Sequence, residues 1–276
     1  MMDLFGDFRL HEFDLGMVAL SWVVAAFGAL SAFSTARGIV MDGRTHPGWL
    51  LLSALILGGC TAWAAYFTGL MALTAGEPVA FDTSLTLAAF LIPVIAFIPG
   101  MYLAWRWGHI PGMLPIGAVF LGVGLAGMNH ISADVLRVDG RIVHDEFFLL
   151  AGTSAAVLIT ILAVFLARSP RALLRYLAAG IMGLAIPVMY VISFGGLEIV
   201  PTEETVDYFT NAIAPQLMLG LIAVTVLFFA LMGLGLGLSQ EQDRQPAAAP
   251  EGDRSEEIAQ ARAEIQRRRE ALRERQ

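Results

Sequence analysis

Apolar residues in this chain gather into long runs separated by short polar stretches, and the runs outlast any strand or core helix of a soluble protein. Seven of them reach the roughly 18 or more residues that a bilayer-crossing helix requires. They are Gly16–Ala36, Gly48–Leu73, Ser84–Trp105, Gly112–Asp134, Phe147–Leu166, Ala172–Phe194 and Asn211–Leu238. Backbone N–H and C=O groups in hydrocarbon must be satisfied within the segment, so each run is predicted as a helix. Pro93, Pro99 and Pro187 fall inside spans, where kinks are tolerated because neighbouring helices re-satisfy the freed groups. The expected fold class is all-α: a polytopic membrane bundle of seven transmembrane helices.

The pattern also repeats. Odd-numbered spans follow similar entrances, Phe13-Asp14, Phe81-Asp82, His144-Asp145 and Val206-Asp207, with the aspartates 68, 63 and 62 residues apart. A carboxylate just before a helix accepts from free N–H groups and complements the helix dipole, so all four read as N-caps. The even-numbered spans resemble one another near the end that each reaches last. They read Gly58-Gly59-Cys60 through Met71, Leu121-Gly122 through Asp134, and Met182-Gly183 through Phe194. Gly59, Gly122, Gly124, Gly127 and Gly183 are small enough to let backbones approach closely. Three two-helix repeats plus one closing helix is the simplest architecture. It divides the chain into an N-terminal segment at 1–15, a membrane domain at 16–238, a linker at 239–254 and a charged helix at 255–276.

Composition narrows the chemistry. Of 276 residues, 57% are apolar or aromatic and 15% charged, and all 17 basic residues are arginine. Without lysine there is no side-chain Schiff base, hence no retinal-type chemistry, and no P-loop lysine. The single cysteine, Cys60, excludes an internal disulfide and a CxxC pair. A net charge of −7 argues against nucleic acid as a partner. Arg37, Arg44, Arg106, Arg168, Arg171 and Arg175 share one set of loops, with Asp42 its only acid. The other set holds Arg9, Arg137 and Arg141 against fourteen Asp and Glu. Positive loops face the cytoplasm. The expectation is therefore a multi-pass plasma-membrane protein with its N-terminus outside, its C-terminus inside, and Trp49, Trp105 and Trp107 at the inner boundary. No basic signal-peptide region precedes the first span.

These features together resemble the MHYT membrane sensor domain of bacteria: two-helix repeats, an FD-type entrance, a glycine-rich second helix and a motif near its outer end. The resemblance covers about residues 13–200, and the last span extends it to about 238. The family motif is Met-His-Tyr-Thr followed by Gly-Met. This chain has Ala65-Tyr66-Phe67-Thr68-Gly69-Leu70, Met128-Asn129-His130-Ile131-Ser132-Ala133 and Met189-Tyr190-Val191-Ile192-Ser193-Phe194. Tyr66, Asn129 and Tyr190 thus occupy the column of the motif histidine. The resemblance implies a membrane sensor that binds copper through Met and His and responds to oxygen, carbon monoxide or nitric oxide.

The residues themselves carry a second metal reading. Met128, His130, Asp134 and Met189 are the candidate ligands. Met128 and His130 are two apart and diverge on an intact helix, whereas His130 and Asp134 are four apart and share a face. A His/Asp pair is a harder site than thioether and imidazole, nearer to zinc or another transition metal than to copper. His11, His144 and Asp145 lie on the same predicted side. Against it stands a bland reading, with His130 and Asp134 as helix-end residues and the methionines as packing. A bundle-facing hydroxyl at Tyr66 or Tyr190 needs a partner, so a small polar cluster in place of a metal is a further alternative.

In the tail, Ile258, Ile265 and Leu272 recur every seven residues from a Ser255 cap, which suggests a helix that meets a cytoplasmic protein partner or a solvated charged face. About 38 residues follow the last span, too few for the enzymatic domains that many MHYT-type proteins carry, so the sequence predicts a non-enzymatic protein that signals to a separate partner. A structural or accessory subunit of a membrane complex is the alternative, and a small transporter the weaker one, since no ionisable group sits at mid-membrane. The bilayer is the first partner in each case, and a homo-oligomer is compatible with all three.

Overall fold

Side-chain caps start the helices as the acidic entrances predict. In the computed structural model, which describes residues 14–41, 43–71, 80–138, 141–200 and 210–244, Asp14 Oδ1 accepts from the backbone N–H of Gly16 and Met17 at 2.7 and 3.4 Å. Asp82 Oδ1 accepts from Ser84 and Leu85 at 2.9 and 3.0 Å, and Asp145 Oδ1 from Phe147 at 2.8 Å. Asp207 lies outside the described residues. The helices so begun are α1 (Leu15–Thr35), α3 (Thr83–Arg106) and α5 (Glu146–Ala167). They alternate with α2 (Pro47–Leu70), α4 (Met113–Ser132) and α6 (Ala172–Phe194), and α7 (Pro215–Arg244) follows. Among the described residues seven helices are therefore long and apolar enough to cross a membrane, and the fold is an all-α polytopic bundle.

Two boundaries differ from expectation. Helix α4 ends at Ser132, which leaves Asp134 in a turn and off the helix face of His130. Helix α7 starts at Pro215, because Asn211 takes a left-handed φ of 56° and Ala212–Ile213 run extended. It then continues through Arg244, beyond the expected linker boundary at 238. The chain forms two compact units, Met1–Gly237 and Leu238–Gln276. The predicted charged helix at 255–276 lies outside the described residues.

Helices α2 and α6 are the most buried, whereas α4 at 44% is close to α3 at 39%. The apolar stretch of α2 is 78% buried and that of α6 61%, against 33% for α1 and α5 and 18% for α7. Glycines make this approach possible. A Cβ on Gly152 of α5 would collide with the Ser193 hydroxyl and the Met189 carbonyl of α6, and one on Gly69 would enter the Tyr190 ring. Residues Ile56–Ala64 of α2 are wound as a π-helix, entirely buried. Gly58-Gly59 sit within it, and Gly58 lies against the Val94 backbone of α3. Such wide turns are rare overall and frequent at functional sites.

Short strands, too brief for a period-two signal, close the acidic end of the bundle. The strand entering a repeat pairs with the strand leaving it. β3 (Ala80–Asp82) joins β4 (Leu136–Arg137) in the second repeat, and β5 (Arg141–His144) joins β6 (Leu197–Val200) in the third. β7 (Ala212–Ile213) adds to the free edge of β3 and ties the closing helix to the second repeat. Arg137 locks this corner: it forms an ion pair with Asp82 and donates to the Thr210 carbonyl at 3.0 Å. At the opposite end a hairpin of β1 (Val40–Met41) and β2 (Arg44–Thr45) links α1 to α2. There Trp105 is 8% exposed, stacked on Phe33 at 5.8 Å and capped by the Arg168 guanidinium at 5.9 Å. It packs between spans at the arginine-bearing end, and burial lowers the Arg168 pKa.

Two outcomes follow. Gly152→Val should destabilise the bundle by about 1–3 kcal/mol through overpacking. Gly180→Ala, with nothing within 4 Å of the added methyl, should be neutral, and thermal unfolding in detergent compares the two. The Leu85 N–H, and then Arg137, hold the Asp82 carboxyl below its ordinary value of 3.8. Its stabilisation is thus complete above that value and is lost as pH falls through the lower folded value. Asp82→Ala should cost about 1 kcal/mol at neutral pH, with the gap to wild type closing only under strongly acidic conditions.

Candidate functional site

The three columns that align with the motif histidine meet inside the bundle. The Tyr66 hydroxyl of α2 donates to Asn129 Oδ1 of α4 at 2.9 Å. Asn129 Nδ2 donates to Ser193 Oγ of α6 at 2.9 Å and to Thr153 Oγ1 of α5 at 3.0 Å. The Tyr190 ring stands edge-on to Tyr66, with centroids 6.0 Å apart at 83°, and Phe194 lies 6.4 Å from Tyr66. Ser21 of α1 joins the periphery by donating to the Ala65 carbonyl at 2.7 Å. Tyr66, Asn129 and Tyr190 are fully buried and Ser193 is 1% exposed.

This is the polar cluster that the sequence held as an alternative to a metal. An amide has one carbonyl oxygen and two N–H donors, and here the oxygen and both donors of Asn129 are engaged. Each such bond between membrane helices is worth about 0.6 kcal/mol net, but a buried group left without its partner costs about 1–3 kcal/mol. The node therefore contributes more to the choice of one arrangement than to raw stability.

The sequence-predicted ligands fall in two places. Met128 and Met189, one residue before Asn129 and Tyr190, are fully buried. His130 and Asp134 are exposed at the acidic end, where both act on His144 through charge. Burial is the largest influence on His144 and lowers its pKa from 6.5; His130 adds to the lowering, while Asp134 and a hydrogen bond to the Ala133 backbone oppose it. The imidazole packs on Phe194, with ring centroids 6.1 Å apart, and its Nε2 is buried without a hydrogen-bond partner. Among the described residues no three His, Cys, Asp or Glu side chains are grouped to hold a metal ion. Copper favours thioether and imidazole donors. The node offers a phenol, an amide and two hydroxyls bonded to one another, a set that does not fit it.

Thr153 escaped sequence reasoning because it lies in an odd-numbered span, outside the aligned columns. Its one signal is a hydroxyl in an apolar run. Ser193 was legible in principle, one turn beyond Tyr190 on the same face.

No protein-family model matches the chain, and no solved structure matches it. Among characterised sequences it is 28% identical over 189 residues to the bifunctional diguanylate cyclase/cyclic di-GMP phosphodiesterase MucR of Pseudomonas aeruginosa, covering 66% of this chain and 27% of that protein. It is 25% identical over 196 residues to an uncharacterized signaling protein of Caulobacter vibrioides, covering 69% and 24%. Cyclic di-GMP phosphodiesterase NbdA of Pseudomonas aeruginosa is 29% identical over 154 residues, covering 55% and 19%. The chain spans about a quarter of the length of these relatives, two of them named for cyclic di-GMP enzymology and one as a signaling protein.

Asn129→Leu, close in volume, removes three hydrogen bonds and strands Tyr66 inside the bundle. It should lower stability by about 2 kcal/mol, the sum of three bonds at about 0.6 kcal/mol each, in a detergent unfolding series, whereas Thr153→Val should cost about a third of that.

Proposed function

We propose that this chain is a membrane signalling protein of the MHYT type, acting as a sensor and not as a catalyst, with cyclic di-GMP turnover as the process its signal reaches. The observation that carries the reading is the node itself. The columns that correspond to the family motif converge on one buried point in all three repeats, and the similarity to MucR and NbdA covers over half of this chain. In this reading the acidic, strand-closed end faces the exterior and the arginine end the cytoplasm, as the charge asymmetry indicates. A small molecule, gas or metal ion at the outer end shifts the packing of α2, α4 and α6, and a separate cytoplasmic protein, met through residues 255–276, reads the shift.

Saturation of Asn129 favours one competitor, an accessory subunit that binds no ligand and only packs against a partner. A chimera separates the two. The membrane region of MucR is replaced by residues 1–238 of this chain, and cyclic di-GMP is measured in cells with and without nitric oxide, oxygen limitation or added copper or zinc. A sensor gives output that changes with at least one stimulus and loses that response in Asn129→Leu. Output indifferent to every stimulus and to the substitution rejects the sensor role and leaves the accessory reading.

A further inference from the structure

Between α1 and α7 the bundle has a groove of about 420 Å³. Its α1 wall is Met17, Leu20, Val24 and Phe27, spaced on one helical stripe, and its α7 wall is the corresponding stripe between Leu219 and Leu231. The two helices start at the same end of the bundle. Further along they touch, where the Thr35 hydroxyl donates to the Gly233 carbonyl at 3.3 Å and a Cβ on Gly233 would meet Ser31 and Ile56. The groove occupies the stretch before that contact. α7 is the least buried helix, which leaves this flank open to the side.

The lining selects the occupant. Among the described residues Thr68 is the one polar member of the lining, and its hydroxyl is already donated to the Ala64 carbonyl at 2.7 Å, so these walls reward no polar or charged ligand. The volume falls within the roughly 300–1,000 Å³ of ordinary ligand pockets. From Met17 to Phe27 the groove runs about 15 Å at ~1.5 Å per residue, which is half of a hydrocarbon layer of about 30 Å and so the depth of one leaflet. Both walls lie inside helices long and apolar enough to span a membrane, so lipid tails are the apolar chains within reach of the groove. We infer that the α1/α7 groove is a binding site for one acyl chain of a membrane phospholipid from the leaflet at the acidic end of the bundle. Its floor at Thr68 lies two residues from Tyr66, so an occupied groove presses on the helix that carries the polar node. The site does not depend on the sensor reading.

The test is photolabelling of the full chain in nanodiscs of phosphatidylglycerol that carries a diazirine in its acyl chain, with labelled peptides mapped by mass spectrometry. Labelling should concentrate several-fold on residues 17–27 and 219–231 over the segment around Leu158, an equally lipid-facing residue that is 68% exposed on α5. Ala223→Trp, which fills the groove from an exposed position, should erase that excess and leave labelling near Leu158 unchanged; Val24→Trp should repeat the effect from the other wall. Even labelling of all lipid-facing segments, or an excess that survives both substitutions, overturns the site. Displacement of the label by added palmitate would assign the groove to a free fatty acid, and peptides of two copies crosslinked through α7 would assign it to a second copy. Either result also overturns the phospholipid assignment.

Discussion

A side-chain amide buried in a lipid-embedded bundle has no water to fall back on. Asn129 has an oxygen and two N–H groups to satisfy, at a depth where an unpaired polar group costs more than a hydrogen bond gains. The partners come from three other helices: Tyr66 from the first repeat, Ser193 from the third, and Thr153 from the outer helix of the third. Hydrophobic packing between helices in lipid is weakly selective, because tails are as apolar as leucine. The amide supplies the selectivity. Once it is placed, the rotation of α2, α4 and α6 about their axes is constrained, and the small residues at Gly69 and Gly152 let the partners come close enough to meet it.

The acidic end reinforces the same arrangement from outside the membrane. Each described repeat entrance is capped by its own aspartate, and in the second and third repeats the entering and leaving strands pair. Asp82 serves the cap and the Arg137 ion pair together, so one carboxylate ties α3, β4 and, through Arg137, the approach to α7. The motif columns are held between this closure and the buried face of the bundle. The π-wound middle of α2 adds a segment whose hydrogen bonding departs from the usual ladder directly beside the node.

Much of this was legible in the chain, for physical reasons. The spans, the Asp14, Asp82 and Asp145 caps and the two-helix repeats follow from hydropathy, dipole complementarity and spacing, which are local properties. The polar cluster was foreseeable in kind, since a tyrosine in an apolar run needs a partner, but not in membership. Thr153 becomes a partner only through the way α5 leans on α4, a tertiary fact with no sequence period. For Trp105 the sequence carries no sign of the Phe33 stack or of the Arg168 cover, which arrive from other helices. Asp134 was placed on the His130 face by helical arithmetic that stops holding two residues earlier, at Ser132. The strands were invisible because two to four residues carry no alternation.

The central claim is that Asn129 couples Tyr66 of α2 to Ser193 of α6. A double-mutant cycle on Tyr66→Phe and Ser193→Ala, read by unfolding in detergent, measures that coupling without touching Asn129. The account predicts that the two losses fail to add, with an interaction energy of about 0.5 kcal/mol or more. Strict additivity, with each change felt as if the other residue were absent, would contradict it.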